Sequence, residues 1–272
     1  CRPTTATTTC SPASTGRADR TSSPVAAHQV PAGHDLADRI ATELAARADP
    51  GRVDGMQRYM RDQFPFLGVT APGQKSAWRA ATADLARRLP EPVVIEAVLD
   101  LWARPEREHQ YLACTLANRH TRPPARGPGP TPAFLDTVET LLTTRPWWDT
   151  VDALATHAVG DLVRAHPRLR DRMDAWLVGD DMWLTRSALL HMNRWRTATD
   201  AGWLFSACLA QGAHRDFFVR KAIGWALREY SKVDPAAVVA FVDAHEDDLS
   251  GLSRREALMW LERRRRAAVR AR

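Results

Sequence analysis

Apolar residues recur at helical spacing through most of the chain, and this pattern restricts the fold more than any other feature of the sequence. It begins with Leu36, Ile40 and Leu44, which lie four residues apart on one face of a helix. No alternating run of apolar and polar residues is long enough for a half-buried β-strand. The pattern therefore predicts an all-α protein.

Proline, glycine and capping residues divide the pattern into short helices. Asp234 precedes Pro235 at a first helical position, and Ser253 to Glu256 has the spacing of a capping box. About a dozen short antiparallel helices suggest a helical repeat array, although an irregular bundle would give the same pattern. After the first helix, the predicted helices cover residues 52–62, 75–88, 91–103, 106–120, 132–144, 147–158, 168–178, 181–192, 199–210, 215–231, 234–247 and 253–266.

The positive charge of the chain is concentrated at one end. The 272 residues include 38 Lys and Arg against 32 Asp and Glu, which gives a net charge of +6. Residues 263–272 contain six Arg and no acidic residue, so the rest of the chain is neutral overall. A basic chain invites a polyanionic partner. Any basic surface on the folded body must nevertheless come from segregation of charge, because the body has no surplus.

Composition divides the chain into three parts. Residues 1–34 are rich in Ser, Thr, Pro and Ala with almost no large apolar residue, which predicts a disordered or loosely ordered segment. Residues 35–262 form the predicted helical domain, and residues 263–272 form a basic, Arg-rich tail. No stretch approaches 18 uninterrupted apolar residues, so we expect no transmembrane helix and no membrane partner. The N-terminus lacks the layout of a signal peptide, which favours a cytoplasmic protein.

The cysteines and histidines show no metal-binding pattern. None of the four Cys forms a CxxC pair, and no His lies at zinc-finger spacing to them. Cys114 and Cys208 lie in apolar helical contexts, so we expect both to be small buried residues. No P-loop or dinucleotide fingerprint is present, and we expect neither a metal nor a cofactor.

One predicted helix carries a tryptophan and a carboxylate beside its apolar face. On a helical projection of residues 147–158, Trp147 points into the apolar stripe and is expected in the core. Trp148 lies off the centre of that stripe, with Asp152 beside it one turn on. This pair is either an exposed cap of a helix pair or part of a functional surface.

A second tryptophan lies on the non-core face of its helix. Within residues 215–231, Trp225 points away from the apolar stripe and lies between Lys221 and Arg228. It forms either a second packing interface, or a cation–π contact, or an aromatic surface beside a phosphate-binding track. Arg186 lies in a helix that is apolar nearly all round, so it must reach solvent or pair with an anion.

Six segments, which cover most of residues 35–262 in order, share the pattern of one family. They are MQRYMRDQFPFLGV (56–69), REHQYLA (107–113), WWDTVD (147–152), WLTRSALL (183–190), DFFVRKAIGWALREYSKVDP (216–235) and LSRREALMWL (252–261). Together they resemble the AlkD-like DNA alkylation repair glycosylases. WWDTVD and FFVRKAIGWALREY are the specific matches. The resemblance implies an α-α superhelix of HEAT-like helical repeats with a concave DNA-binding face.

The resemblance also implies roles for individual residues. In the family, the residues matching Trp148 and Trp225 flank the damaged nucleotide, and the residue matching Asp152 is the catalytic carboxylate. The residue matching Arg186 lies in the same cleft and contacts the DNA backbone.

Four further residues are expected to contact DNA. They are Tyr59, Arg61, Lys221 and Arg228, and Arg61 stands where the family pattern has Lys.

The activity implied is hydrolysis of the N-glycosidic bond of N3- or N7-alkylated purines in double-stranded DNA, without base flipping. This activity needs no metal or cofactor, and we expect a nucleoid-associated monomer. Two alternatives remain open from the sequence. One is a non-catalytic HEAT-like module that binds DNA or protein, and the other is a glycosylase specialised for bulky natural-product adducts.

Overall fold

The computed structural model describes residues 30–123 and 129–270, and within these ranges it contains helices and no β-strand. The predicted all-α class is confirmed. The α-helices are α1 (Gly33–Ala45), α2 (Pro50–Tyr59), α3 (Ala71–Ala81), α4 (Glu91–Ala103), α5 (Arg107–Thr121), α6 (Phe134–Thr143), α7 (Trp148–Ala153), α8 (Gly160–Ala165), α9 (Arg170–Val178), α10 (Met182–Leu190), α11 (Ala201–Ala210), α12 (Phe217–Tyr230), α13 (Pro235–Ala244) and α14 (Gly251–Arg270). A π-helical segment, Leu154–Val159, joins α7 to α8 without a break.

The helices from α4 onward form two packed rows, as expected for a helical repeat array. The front row consists of α5, the continuous helix α7–α8, α10, α12 and α14, and each helix packs on the next. The back row consists of α4, α6, α9, α11 and α13, and each of these packs on the front-row helix that follows it. In α6, for example, Phe134, Leu135, Val138, Leu141 and Leu142 are fully buried, which is the spacing of one helical face.

Neighbouring helices of the front row run parallel and in register. Between α10 and the helix before it, Asp152 meets Arg186, and further along Trp195 Nε1 donates to the Gly160 carbonyl at 3.2 Å. Residue numbers therefore ascend together on both helices. The same order holds at Tyr111–Asp149 and Asn118–Ala158, and at Arg220–Ser253 and Arg228–Met259. Between α10 and α12, Arg186 meets Phe218 towards the N-terminal ends, and Asn193 and Tyr230 line one hollow at the C-terminal ends. The N-terminal ends of these helices consequently line one edge of the row.

The loop after α2 is fixed by a buried carboxylate. Glu108 accepts hydrogen bonds from the backbone N–H groups of Leu67, Gly68 and Val69 at 2.9–3.0 Å. Gly68 has φ +86°, and a Cβ there would lie 2.0 Å from the Asp49 carbonyl oxygen, so only glycine fits. This loop attaches α2 to the front row.

Two of the predicted helices near the N-terminus have wrong boundaries. The helix predicted over 52–62 ends at Tyr59, because Arg61 and Asp62 adopt left-handed conformations with φ +55° and +56°. The helix predicted over 75–88 is α3, which covers Ala71–Ala81. It begins earlier than predicted because the Thr70 side chain caps its N-terminus and Pro72 lies in its first turn.

The helix that begins at Trp148 is longer than predicted. It was expected to end near residue 158 but continues to Ala165 through the π-helical segment. Gly160 lies inside it because a Cβ there would come within 2.3 Å of the His191 carbonyl oxygen. Asn118 of α5 donates to the Ala153 carbonyl and accepts from Ala158 N–H, both at 3.1 Å, and so satisfies backbone groups that the π turn rearranges.

Both ends of the predicted domain extend further than expected. The predicted loose segment over 1–34 lies outside the described residues up to residue 29, and α1 begins at Gly33, two residues before the predicted domain boundary. At the other end, α14 continues through the Arg-rich tail to Arg270. In the described part of the chain, no helix has both the length and the apolar character needed to cross a membrane. Cys114 and Cys208 are free and buried, as predicted.

Candidate active site

One cleft brings together every residue that the sequence suggested for function. The cleft has a volume of about 490 Å³ and is formed by the end of α2 with the turn that follows it, and by α7, α10 and α12. Its lining residues are Tyr59, Arg61, Trp147, Trp148, Asp152, Arg186, Phe217, Phe218, Lys221, Trp225 and Arg228.

Asp152 and Arg186 form a two-pronged ion pair inside this cleft. Arg186 Nε and Nη2 donate to the two carboxylate oxygens of Asp152 at 2.7 and 2.9 Å. The side chain of Arg186 is 3% exposed and that of Asp152 is 19% exposed. The third guanidinium nitrogen, Nη1, donates to the Phe218 carbonyl. Arg186 therefore pairs with an anion, as its apolar helix required, and it fixes the orientation of the carboxylate.

The environment of Asp152 is unfavourable for a carboxylate despite its arginine partner. Burial raises the pKa of Asp152 above its usual range, and the nearby Asp149 charge raises it further. The hydrogen bonds from Arg186 and the charges of Arg186 and Lys221 oppose this effect. Net elevation of the pKa means that the site holds a poorly solvated carboxylate, a feature more common at functional sites than in structural ion pairs.

The other aspartate of the same helix has a structural environment. Asp149 accepts from Arg107 Nη2 at 2.6 Å and from the Tyr111 hydroxyl at 2.8 Å. Arg107 is fully buried, with its guanidinium 3.8 Å from the centre of the Phe64 ring. Asp149 thus ties α7 to α5, whereas Asp152, three residues later, faces the cleft.

Aromatic rings form the walls of the cleft. Trp148 and Trp225 are both half-buried and pack partly against the core. Tyr59 is 70% exposed and meets Trp148 edge to face, with 6.0 Å between ring centres. Trp225 Nε1 donates to Glu229 at 3.3 Å. Each tryptophan therefore packs against the core on one side and lines the cleft on the other.

Three aromatic residues of the cleft were not predicted as part of the site. Trp147 was expected in the core, but it is the extended N-cap residue of α7, where a helical projection does not apply. It contacts the core and lines the cleft, with its ring 5.4 Å from that of Phe218. Phe217 precedes Lys221 by four residues, so the face containing Lys221 and Trp225 could have identified it.

Comparison with known proteins identifies the family of the chain. A family model described as DNA alkylation repair enzyme matches residues 40–261. The chain belongs to this DNA alkylation repair family. It is also similar to a solved structure described as a predicted DNA alkylation repair enzyme from Enterococcus faecalis, with 26% identity and a TM-score of 0.69 over 79% of this chain and 97% of that chain. None of the curated proteins with which the sequence was compared matches it.

Some basic residues of the cleft form ion pairs within the protein and others do not. Arg228 forms an ion pair with Glu256 of α14 at 2.5 Å. Lys221 lies 5.6 Å from the centre of the Phe217 ring. Within residues 30–123 and 129–270, neither Lys221 nor Arg61 forms an ion pair. The family member therefore presents two unpaired cations and one partly neutralised cation around Asp152.

A second groove, formed mainly by α3 and α5, is basic. It has a volume of about 620 Å³ and is lined by Lys75 and Arg79 of α3, by Arg119 and Arg122 at the end of α5, and by no acidic residue among those described. The guanidinium of Arg119 lies 5.4 Å from the centre of the Trp78 ring. Basic residues are therefore segregated into this groove, although the chain before residue 263 has no surplus of positive charge. In the described residues, no group of three or more His, Cys, Asp or Glu is placed to hold a metal ion.

Proposed function

We propose that this family member is a DNA glycosylase that hydrolyses the N-glycosidic bond of cationic purines, alkylated at N3 or N7, in duplex DNA. The observation that carries the proposal is the poorly solvated Asp152 carboxylate, which Arg186 orients in a cleft walled by Trp148 and Trp225.

The chemistry suits a site in which Asp152 is the one acidic residue among the described lining residues. An alkylated purine carries a positive charge, so it leaves as a neutral base when the bond electrons move onto it. The sugar becomes an oxocarbenium ion, which Asp152 stabilises electrostatically, as carboxylates do in glycoside hydrolysis. Water then adds to the anomeric carbon and Asp152 accepts its proton. Because the carboxylate is poorly hydrated, its attraction to the cationic sugar is only weakly screened.

The aromatic walls favour a cationic nucleotide over a neutral one. The faces of Trp148 and Trp225 attract a positive charge by about 0.5–2 kcal/mol each, depending on desolvation. Lys221 and Arg61 are free to hold phosphates. Arg186 has all three nitrogens engaged with Asp152 and Phe218. We therefore infer that Arg186 acts first by orienting Asp152, and that its contact with the DNA backbone is secondary.

The lining of the cleft also favours recognition without base flipping. Enzymes that flip a base read its Watson–Crick edge by hydrogen bonds in a fitted pocket. Among the described residues that line this cleft there is no Asn, Gln, Ser or Thr, and the only hydroxyl belongs to Tyr59. A site with so few groups for reading a base fits contact through the sugar and phosphates. The same feature fits a bulky N3 or N7 adduct, which would have no tight pocket to enter.

A purely DNA-binding role is the alternative. The raised pKa of Asp152 weighs against it, because an elevated pKa means that ionised Asp152 lowers the stability of the folded protein relative to its protonated form. Binding to DNA alone would be served better by a neutral residue, since a carboxylate in the cleft repels phosphates.

Base release from modified duplex DNA tests the proposal. The protein is incubated with methylated duplex DNA and with duplexes that contain uracil or hypoxanthine, and the released bases are separated by chromatography. We expect release of 7-methylguanine and 3-methyladenine, and no release of the neutral bases. Tight binding to alkylated duplex without release of any base, bulky adducts included, would support the binding module instead.

A further inference from the structure

The C-terminal end of α14 has no role in the cleft described above. The family match ends at residue 261, yet α14 continues to Arg270. Beyond Glu262, the described part of this helix contains five Arg and no acidic residue, and its described side chains are exposed. We refer to residues 263–270 as the overhang.

The register of the front row shows where the overhang lies. Ser253 Oγ donates to the Arg220 carbonyl, and further along Met259 Sδ lies 3.8 Å from Arg228 Nη1. The two helices therefore run parallel, with an offset of 31–33 residues between contacting positions. Since α12 ends at Tyr230, the overhang lies past the end of α12, and its eight residues extend the helix by about 12 Å.

The overhang continues an edge that is already basic. Arg194, Arg196 and Lys232 line a hollow of about 310 Å³ at the C-terminal ends of α10 and α12. One acidic residue, Glu229, shares the hollow, and Lys232 engages it at 2.6 Å. The C-terminal ends of α10, α12 and α14 are therefore all followed by, or end in, cationic side chains.

Charges on the overhang are largely available for an external anion. Arg263, Arg266 and Arg270 lie on one face of the helix, at spacings of three and four residues. Of these, only Arg266 forms an ion pair among the described residues, with Glu262 at 3.7 Å. Arg264 lies with its guanidinium 5.0 Å from the centre of the Trp260 ring. Closely spaced like charges repel each other, and a polyanion relieves this repulsion.

Distances along α12 relate this edge to the cleft. Lys221 of the cleft and Tyr230, the last residue of α12, are nine residues apart, which corresponds to roughly 13–14 Å along the helix, and Lys232 of the edge follows in the next turn. The grooves of duplex DNA are roughly 6–12 Å wide. The separation between Lys221 and the basic edge is therefore of the same order as the distance between the two backbones across a groove.

We propose that the overhang is a clamp that binds the phosphate backbone of duplex DNA beside the C-terminal edge, outside the cleft. The proposal rests on the proposed function for its partner. It adds a binding surface that acts on affinity and leaves the chemical step unchanged.

Replacement of the three aligned arginines tests the clamp. Arg263, Arg266 and Arg270 are changed together to Gln, which keeps helical propensity and removes the charge. A matched variant carries Lys at the same positions, because Lys retains a point charge that binds phosphate. Circular dichroism checks that both variants keep the helical content of the wild type.

Binding to an undamaged duplex of about 20 base pairs is measured at several salt concentrations, so the result does not depend on base release. Each lost phosphate contact lowers the slope of log K against log salt by about 0.9. We expect the Gln variant to lose a slope of about 2–3 and to bind at least about 10-fold more weakly, whereas the Lys variant keeps the wild-type slope. Base release at saturating DNA should be equal in all three proteins.

Two results would overturn the clamp. The Gln variant could bind duplex with the wild-type slope, or it could lose base release at saturation. Failure of the wild type to bind any duplex would instead contradict the proposed function, so the two failures are distinguishable.

Discussion

Substitution of Asp149 by Asn separates the structural aspartate of α7 from Asp152, the aspartate that we propose is catalytic. The carboxylate of Asp149 neutralises the fully buried Arg107, at 2.6 Å, and accepts a hydrogen bond from the Tyr111 hydroxyl. Burial and the Asp149 charge raise the pKa of Tyr111, so that hydroxyl remains protonated and keeps donating. The amide that the substitution introduces could accept one of these bonds but would leave the Arg107 charge without a counter-ion.

The size of the effect follows from the burial of this pair. The side chains of Arg107 and Asp149 are 0% and 7% exposed. Removal of one partner from a buried ion pair costs about 3–5 kcal/mol. Because Asn retains one acceptor, we expect the lower end of that range. For a protein of this size, about 3 kcal/mol lowers the melting temperature by roughly 6–12 °C.

Thermal melting of Asp149→Asn, Asp152→Asn and the wild type measures this difference. Asp152→Asn should melt closer to the wild type, because Asp152 retains 19% exposure and its raised pKa means that the ionised carboxylate contributes less to stability than its protonated form does. The double variant Arg107→Met, Asp149→Asn should be less destabilised than the sum of the single variants. Wild-type melting of Asp149→Asn, together with loss of base release at low temperature, would refute the assignment of Asp149 to structure and Asp152 to chemistry.

Three further substitutions have defined outcomes. Arg186→Met removes the hydrogen bonds and charge that lower the pKa of Asp152, so the pKa should rise further. Because base release needs the ionised carboxylate, the rate should begin to fall at a higher pH than in the wild type when the solution is acidified. An unchanged pH profile would contradict this. Gly160→Ala places a Cβ 2.3 Å from the His191 carbonyl oxygen and should lower the free energy of unfolding, measured in urea, by about 1–3 kcal/mol. An unchanged free energy of unfolding would show that α8 and the C-terminal end of α10 can separate without cost. Asn118→Leu leaves two backbone groups at the π-helical segment unpaired, so it should lower the free energy of unfolding by about 1–3 kcal/mol or more. Because one of these groups is the carbonyl of Ala153, next to Asp152, the substitution should also lower kcat more than DNA affinity. Equal losses of kcat and affinity would mean that Asn118 does not position Asp152.

Local periodicity was sufficient to predict much of the fold and part of the site. It predicted the all-α class, and it separated Trp148, Asp152 and Trp225 from the core faces of their helices. It could not predict the π-helical segment, because that segment depends on Asn118 of another helix. The left-handed turn at Arg61 and the place of Trp147 in the cleft were missed for a related reason, since a helical projection assumes that each residue is inside a helix.

The Asp152–Arg186 pair shows what sequence spacing cannot supply. The two residues are 34 positions apart, on neighbouring helices of the front row. Their approach follows from the parallel register of α7 and α10, which is set by many side-chain contacts across the interface. The resemblance to a family implied that both residues share a cleft, but only the geometry shows that the guanidinium is engaged with the carboxylate.

The single-turnover rate of 7-methylguanine release by Asp152→Asn, at DNA concentrations that saturate the protein, tests the central claim most directly. If Asp152 stabilises the cationic sugar, the variant should release base about 100-fold more slowly than the wild type or worse, while its affinity for the duplex changes by only a few-fold. A variant that releases 7-methylguanine at a rate within a few-fold of the wild type would contradict the account.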